Sequence, residues 1–263
     1  LDDGTLPVLH HGFPETPTLN GFQPGNALET TKVIERAVGM VKNNEIGSIC
    51  TNPINKKVLK DGCNFKYPGH TEFLAKLANL DKSVMMLVCD KLRVVPVTIH
   101  VALNDVSKFL TEKLIIETVR TTNQSLIDDF GIINPRIAIS GLNPHAGENG
   151  TFGDEEIHVI QPAVQILKNE GLNIIGPLSA DTMFHSAARK QYDVAICMYH
   201  DQALIPIKTI DFYGGVNMTL GLPFIRTSPD HGTAFELAGT RKANPMSLIN
   251  ALELAHNTAN ERL

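Results

Sequence analysis

From residue 26 onward, helical periodicity alternates with short runs of apolar and β-branched residues. In the segment 27–43, apolar residues such as Ile34 and Val41 recur at helical spacing, and Asn26 precedes them as an N-cap residue. The short apolar run 46–50 that follows is typical of a buried strand. This order repeats along the chain and predicts an α/β fold, with a mainly parallel sheet covered by helices on both faces.

The remaining periodicity extends this alternation to the end of the chain. A second helix is expected to begin near His70, and the stretch 105–130 is helical by pattern, with a break near 121–122. A closing helix is predicted over 245–257, because Pro245 is favoured in the first turn of a helix. The other predicted elements are strands at 84–88, 94–99, 136–140, 173–175 and 194–198 and helices at 154–169 and just after Asp181.

Two segments rich in glycine and proline, 141–153 and 201–235, interrupt the alternation. A chain of 263 residues fits one compact unit, and these interruptions fit two lobes around a cleft equally well. We expect residues 1–263 to form one unit, with lobe boundaries that the pattern leaves undefined. Side chains that could bind a ligand, among them His145, His200 and Lys208, lie in or beside the same two segments.

Composition narrows the range of partners. Lys and Arg number 23 against 28 Asp and Glu, so the net charge of −5 gives no overall field that would hold a nucleic acid. The four cysteines are scattered without a Cys-x-x-Cys pair, which favours a reducing compartment, and we predict a cytoplasmic protein. No apolar run approaches the roughly 18 residues of a membrane-spanning helix, so no membrane partner is expected.

Three histidines lie at or beyond the ends of predicted strands. His100 directly follows one of them, His200 lies two residues beyond the end of another, and His145 lies in the loop after a third. Ligands bind outside the carboxyl ends of strands in open α/β sheets, so the three imidazoles are suited to converge on one divalent cation. Imidazole suits zinc, cobalt, nickel or iron(II) better than calcium. Each histidine alone is more typical of an ordinary loop or core position, so the shared location carries the metal hypothesis.

A segment after the last predicted strand combines positive charge with glycine. Lys208 and Arg226 suit a phosphate or carboxylate, and Asn217 supplies a neutral donor and acceptor. The alternative is a surface loop whose cations are merely solvated. The segment 69–71 is a weaker candidate for anion binding at a helix start, because Thr71 is equally suited to be a capping residue.

Six motifs, in order along the chain, are specific enough to indicate a family. They are Thr-Asn-Pro-Ile-Asn-Lys at 51–56, Gly-His-Thr-Glu-Phe-Leu at 69–74, Gly-Leu-Asn-Pro-His-Ala-Gly-Glu at 141–148, Ala-Asp-Thr-Met-Phe at 180–184, Tyr-His-Asp-Gln at 199–202, and the long run Gly-Val-Asn-Met-Thr to Asp-His-Gly-Thr-Ala at 215–234. On these residues the chain, from about Gly25 to its end, resembles the 4-hydroxythreonine-4-phosphate dehydrogenase family of pyridoxal phosphate biosynthesis.

The resemblance implies a fold similar to that of isocitrate and isopropylmalate dehydrogenases, with two α/β lobes around a central cleft. Such a fold accounts for an NAD enzyme whose sequence lacks Gly-x-Gly-x-x-Gly. By the same resemblance, His100, His145 and His200 bind one divalent metal ion (Zn, Mg or Co) in a site shared across the interface of a homodimer.

Substrate and cofactor contacts follow from the same resemblance. The residues that match the family's substrate-binding positions are His70, Thr71, Lys208, Asn217 and Arg226. The residues expected to contact NAD, or NADP, are His231, Gly232, Thr233, Ala234 and Asn244.

The implied reaction transfers a hydride from the carbon bearing the 3-hydroxyl of 4-phosphooxy-L-threonine to NAD. Loss of carbon dioxide then gives 3-amino-2-oxopropyl phosphate. The metal ion would act as a Lewis acid toward that hydroxyl. The sequence leaves the acceptor of the hydroxyl proton open among Lys208, Asp181 and Asp201.

One departure from the family pattern concerns the N-terminal segment. Family members begin with a strand and a turn of the type Gly-Asp/Glu-Pro-Ala-Gly-Ile-Gly, and nothing between Leu1 and Gly25 matches it. We expect a truncated chain rather than a lost element, because every later motif is present. Three other interpretations stay open: a sister dehydrogenase of a phosphorylated threonate or erythronate, a metal-dependent phosphohydrolase, and a non-catalytic metabolite-binding domain.

Overall fold

The computed structural model describes residues 5–16, 18 and 22–262, and within them eight strands form one mixed sheet. The strands are β1 Ser48–Cys50, β2 Val84–Cys89, β3 Leu92–Thr98, β4 Ile137–Ser140, β5 Ile174–Leu178, β6 Val194–Tyr199, β7 Val216–Leu220 and β8 Ile225–Pro229. Their order across the sheet is β1-β8-β7-β2-β3-β6-β4-β5. The predicted α/β class is confirmed. Part of the segment 1–25 lies outside the described residues, and its expected truncation stays a prediction.

Four of the seven strand pairings are parallel and three are antiparallel. The parallel pairs are β1 with β8, β3 with β6, β6 with β4, and β4 with β5. The antiparallel pairs are β8 with β7, β7 with β2, and β2 with β3. The antiparallel strands lie together in the middle of the sheet, where short connections after Cys89 and Leu220 return the chain beside itself.

Helices cover both faces of the sheet. Their bounds are α1 Ala27–Lys42, α2 Lys56–Cys63, α3 His70–Leu77, α4 Val106–Phe109, α5 Glu112–Phe130, α6 Gln161–Asn169, α7 His200–Ile210 and α8 Met246–Glu261. Helices α5, α6 and α8 contribute to the core on one face, α7 contributes to the core on the other, and α1 and α3 pack with β1. No helix among the described residues is long and apolar enough to cross a membrane.

Strand β6 shows why the apolar runs of the sequence do not alternate with polar residues. Val194, Ile196 and Met198 enter the core beneath α5 and α6, whereas Ala195 and Cys197 face α7. Both faces are therefore buried, which is typical of strands in a sheet covered on two sides. The small residues on the second face leave space for α7 to lie close to the sheet.

Two element predictions are wrong. The long helical stretch breaks at Leu110, because the side chain of Thr111 caps α5 by accepting from the Leu114 N–H at 3.1 Å. At the predicted break, Thr122 instead donates to the Thr118 carbonyl at 2.8 Å and stays inside the helix. Directly after Asp181 the chain forms turns, and a short 3₁₀ helix follows only at Ala188–Gln191.

A gap opens between the two halves of the sheet. The pairing of β2 with β3 ends at Leu87 and Val94, and Pro96, which has no N–H to donate, follows two residues later. Beyond that point β2 continues beside β7, and β3 continues beside β6. The expected division into two lobes around a cleft stays a prediction.

Candidate active site

A cavity of about 500 Å³ lies at the carboxyl ends of β3 and β6, next to the gap in the sheet. All five residues that match the family's substrate-binding positions line it, together with two of the three predicted metal ligands. They are His70, Thr71, Lys208, Asn217, Arg226, His100 and His200. This position outside the carboxyl ends of parallel strands is the usual place for a ligand in an α/β sheet.

Arg226 is a buried cation whose described partners are neutral. It lies on β8 with 3% of its surface exposed and donates to the hydroxyls of Thr219 at 2.9 Å and Thr51 at 2.7 Å. Its Nε atom, like the Oδ1 atom of Asn217 in the same cavity, has no hydrogen-bond partner among the described residues. Burial lowers the pKa of the guanidinium to about 10. A buried charge whose hydrogen bonds go only to neutral groups is costly, and the charge of Glu72 offsets only part of the effect of burial, so an anion in the cavity would stabilise the guanidinium.

Helix α3 begins at the cavity with His70 and Thr71, so its free backbone N–H groups lie beside the buried guanidinium. Burial, and secondarily the charge of Arg226, lowers the pKa of His70 to about 4. His70 is therefore a neutral imidazole at pH 7. It can donate or accept a hydrogen bond there without adding charge to the cavity.

The low pKa of His70 predicts a pH-dependent stability. The unfolded state binds a proton near pH 6.5 and the folded state only near pH 4, so the free energy of unfolding should fall as pH drops through this window. The contribution of His70 is up to about 3 kcal/mol. We expect His70→Asn to reduce the acid-induced loss in urea titrations at pH 7, 5.5 and 4. The exposed His158→Asn serves as control, and identical slopes for all three proteins would contradict the assignment.

His100 and His200 face each other across the cavity. Their ring centroids are 6.3 Å apart with the planes inclined by 35°. The Nδ1–H of His200 donates to the carboxylate of Asp201 at 2.7 Å, which leaves Nε2 free for a ligand. Two imidazole nitrogens at one cavity fit a zinc-like divalent ion. Within the described part of the chain, however, no three His, Cys, Asp or Glu residues group closely enough to hold a metal.

His145 lies outside that cavity, on an exposed turn. Its ring is 5.9 Å from that of Phe152. A hydrogen bond from Ser179, and more weakly the charge of His145, lowers the pKa of Asp181, so His145 and Asp181 are neighbours. One chain therefore brings together two of the three predicted metal ligands and leaves the third on its surface.

The three candidate proton acceptors lie in different surroundings. Lys208, in the last turn of α7, lines the cavity and forms an ion pair with Asp230 at 2.8 Å. Asp201 lies beside the cavity with 69% of its side chain exposed, and its contact is with His200. Asp181 is exposed near His145. Of the three, the structure brings Lys208 to the substrate cavity.

A second cavity, of about 650 Å³, adjoins the first and is lined mainly by apolar surface. Asp230, His231 and Gly232 line both cavities, so a ligand in one can reach a ligand in the other. All five residues expected to contact the nicotinamide cofactor line it. They are His231, Gly232, Thr233, Ala234 and Asn244.

Sequence reasoning missed three residues that shape the site. Thr51 and Thr219 hold the guanidinium of Arg226, and Asp230 pairs with Lys208. Thr219 is two positions from Asn217 on β7, so strand periodicity would have placed both on one face had β7 been recognised. For Asp230 the only signal was its place in the motif at 215–234.

Comparison with known proteins identifies the family of this chain. The family model "Pyridoxal phosphate biosynthetic protein PdxA" matches residues 3–255. The chain belongs to the PdxA family. One PdxA-family relative, the 4-hydroxythreonine-4-phosphate dehydrogenase of Paracoccus denitrificans, is 53% identical over 99% of this chain and 82% of its own length. The corresponding protein of Bradyrhizobium diazoefficiens is 56% identical over 97% of this chain and 74% of its own length.

Solved structures extend the PdxA likeness to three dimensions. A 4-hydroxythreonine-4-phosphate dehydrogenase from Klebsiella pneumoniae superposes with a TM-score of 0.84 at 41% identity, over 91% of this chain and 73% of that one. A terephthalate 1,2-cis-dihydrodiol dehydrogenase from Burkholderia xenovorans LB400 gives a TM-score of 0.69 at 26% identity, over 89% of this chain and 74% of that one. The relatives named here are dehydrogenases, so the predicted oxidoreductase class is confirmed.

Proposed function

We propose that this chain is a 4-hydroxythreonine-4-phosphate dehydrogenase that uses NAD or NADP. It would oxidise the 3-hydroxyl of 4-phosphooxy-L-threonine and release carbon dioxide to give 3-amino-2-oxopropyl phosphate. The observation that carries the proposal is the pair of adjoining cavities, one with a buried cation and one mainly apolar. Family membership and the names of its relatives support the same reaction.

The substrate phosphate is assigned to Arg226. Its guanidinium is fixed by two threonine hydroxyls through Nη1 and Nη2, and its Nε–H has no protein partner among the described residues, so it is already oriented for a dianion. The backbone N–H groups at the start of α3 carry no net charge, but their partial positive charge also favours an anion. The neutral imidazole of His70 then provides a directional hydrogen bond.

The metal ion is assigned to His100 and His200, with His145 contributed across the interface of a homodimer. This assignment agrees with the two rings at one cavity and with the exposed position of the third histidine. When bound, a divalent ion supplies Lewis acidity that stabilises negative charge on the reacting oxygen. Asp201 contributes by accepting the Nδ1–H of His200, which fixes the tautomer that leaves Nε2 free.

The cofactor is assigned to the second cavity, beside Asp230, His231 and Gly232. NAD or NADP, when bound, supplies the hydride acceptor. Lys208 is the candidate base that reaches the substrate cavity, and its Nζ can accept the hydroxyl proton once it has passed one of its own protons to Asp230 and become neutral. The neighbouring Asp230 can exchange a proton with it over their 2.8 Å contact. The oxidised product is a β-keto acid, whose carbonyl accepts the electron pair left by departing carbon dioxide.

A cytoplasmic location is part of the proposal. All four cysteines are described and unpaired, two of them buried, which is typical of proteins in a reducing compartment.

The test is a spectrophotometric assay with 4-phosphooxy-L-threonine and each nicotinamide nucleotide. Formation of NADH or NADPH supports the proposal, whereas release of inorganic phosphate without reduced nucleotide supports a phosphohydrolase. A sister dehydrogenase is the second candidate, because the structural neighbour from Burkholderia xenovorans carries the name of a different dehydrogenase. It predicts faster reduction with the 4-phosphorylated hydroxy acid than with the amino acid.

A further inference from the structure

The loop after β4 carries His145 on a left-handed turn. Five consecutive residues, 145–149, have φ angles between 42° and 78°. One of the five is Gly147, and the other four carry a Cβ, for which this region of backbone conformation is unfavourable. A turn of this kind persists only where its surroundings hold it in place.

Glu156 provides the contacts that hold the residues leading into this turn. Its side chain is 1% exposed. Oε1 accepts from the backbone N–H groups of Leu142 at 2.7 Å and Asn143 at 2.8 Å, and Oε2 accepts from Nδ2 of Asn143 at 2.9 Å. Both carboxylate oxygens are thus occupied by neutral donors. The carboxylate fixes the backbone from which the turn starts.

Glycines leave the space that this carboxylate needs. A Cβ on Gly147 would approach Oε2 of Glu156 to 2.6 Å, and a Cβ on Gly141 would approach Oε1 to 3.0 Å. Gly147 lies within the turn and Gly141 lies before it, so the turn and its approach both pack against the same side chain. Glu156 therefore packs against both the residues that lead into the turn and the turn itself at Gly147.

We propose that Glu156 is a positioning residue for metal binding, because it holds the left-handed turn in the conformation that presents the imidazole of His145. The imidazole is exposed and lies away from the cavity of His100 and His200, so its direction is set by the turn, with the ring of Phe152 as a neighbour at 5.9 Å. Metal affinity depends on such outer contacts that orient a ligand. The inference rests on the proposed function only in taking His145 as a metal ligand.

The substitution Glu156→Gln tests this role. Glutamine keeps the size of the side chain but replaces one acceptor oxygen by an amide NH₂, which would face an N–H donor. We expect the dissociation constant for Zn²⁺ or Co²⁺ to rise by about 10- to 100-fold, measured in the full chain by competition with a chromophoric chelator. Saturating metal should restore turnover, and KM for the nicotinamide nucleotide should stay unchanged, because Glu156 does not line the cofactor cavity.

Glu155→Gln is the matched control. The Glu155 carboxylate also accepts from Nδ2 of Asn143, at 2.7 Å, but among the described residues that side-chain bond is its only hydrogen bond to the loop. It is less buried than Glu156. The metal affinity of the Glu155→Gln variant should therefore be nearly that of the parent protein. An equal loss in the Glu155 and Glu156 variants would count against a specific role for Glu156.

A double-mutant cycle separates positioning from general stability. In a His145→Ala background, Glu156→Gln should lower metal affinity no further, because it acts through that imidazole. Equal losses in both backgrounds, or a lower Tm with unchanged metal affinity, would overturn the proposal, and so would a parent protein whose metal affinity is independent of His145. Metal binding is measured without substrate, so failure to oxidise 4-phosphooxy-L-threonine would count against the proposed function alone.

Discussion

Replacing Arg226 with methionine is expected to lower kcat/KM for the phosphorylated substrate by roughly 10- to 150-fold, mainly through KM. This range corresponds to the loss of one charge-assisted contact of roughly 1.5–3 kcal/mol. The guanidinium is buried in the cavity and fixed by Thr51 and Thr219, so no exposed lysine can take its place without rearrangement. Steady-state kinetics with phosphorylated and unphosphorylated substrate measure the effect. For the unphosphorylated analogue, kcat/KM should change little.

The same variant is expected to fold with equal or greater stability. Burial lowers the pKa of Arg226 to about 10, and the group is charged at pH 7 in both states, so the folded protein bears a desolvation cost of roughly 3 kcal/mol. Methionine removes that cost. Urea unfolding measures it, with the exposed Arg120→Met, which loses an ion pair to Glu170, as control. If the Arg226 variant is less stable and its kcat/KM falls equally for both substrates, the role of Arg226 is structural instead.

Replacing His200 with alanine is expected to remove most of the bound metal and to lower kcat by at least about 100-fold. His200 is one of the two imidazoles at the substrate cavity, and its ring is oriented by Asp201. The side chain is partly exposed, so its loss leaves no large internal void and the protein should remain folded. Metal content is measured by elemental analysis after dialysis, and turnover by nucleotide reduction.

His158→Ala is the control for this experiment. His158 is exposed, pairs loosely with Asp154 at 3.6 Å, and lines neither of the two cavities described. It should keep full metal content and full turnover. Full activity of the His200 variant with unchanged metal content would eliminate the proposed metal site.

Secondary structure was predictable in long segments with a uniform apolar or helical pattern. It was not predictable in segments rich in glycine and proline. Apolar runs such as β6 and the long helix α5 were recognised because periodicity and length leave few alternatives. Strands β7 and β8 were missed because a glycine- and proline-rich segment surrounds them, and α7 was missed because Pro206 lies inside it. The break in the 105–130 stretch was misplaced, because a cap at Thr111 outweighed the β-branched pair farther along.

The site was predictable as a set of residues but not as an arrangement. Strand ends and family motifs pointed to His100, His200 and Arg226, and the structure places all three at one cavity. The ion pair of Lys208 with Asp230 depends on tertiary packing and has no signal in local sequence. The left-handed turn of His145 is likewise set by a carboxylate eleven positions away, which no periodicity reveals.

The proposed reaction is tested most directly by an initial-rate assay with NAD and NADP, run with and without a metal chelator. The substrates are 4-phosphooxy-L-threonine and the corresponding hydroxy acid, compared side by side. We expect reduced nucleotide with the amino acid, formed faster than with the hydroxy acid, and loss of the signal on chelation with recovery when Zn²⁺, Co²⁺ or Mg²⁺ is added back. Nucleotide reduction that is indifferent to the chelator, or phosphate release without any reduction, would contradict this expectation.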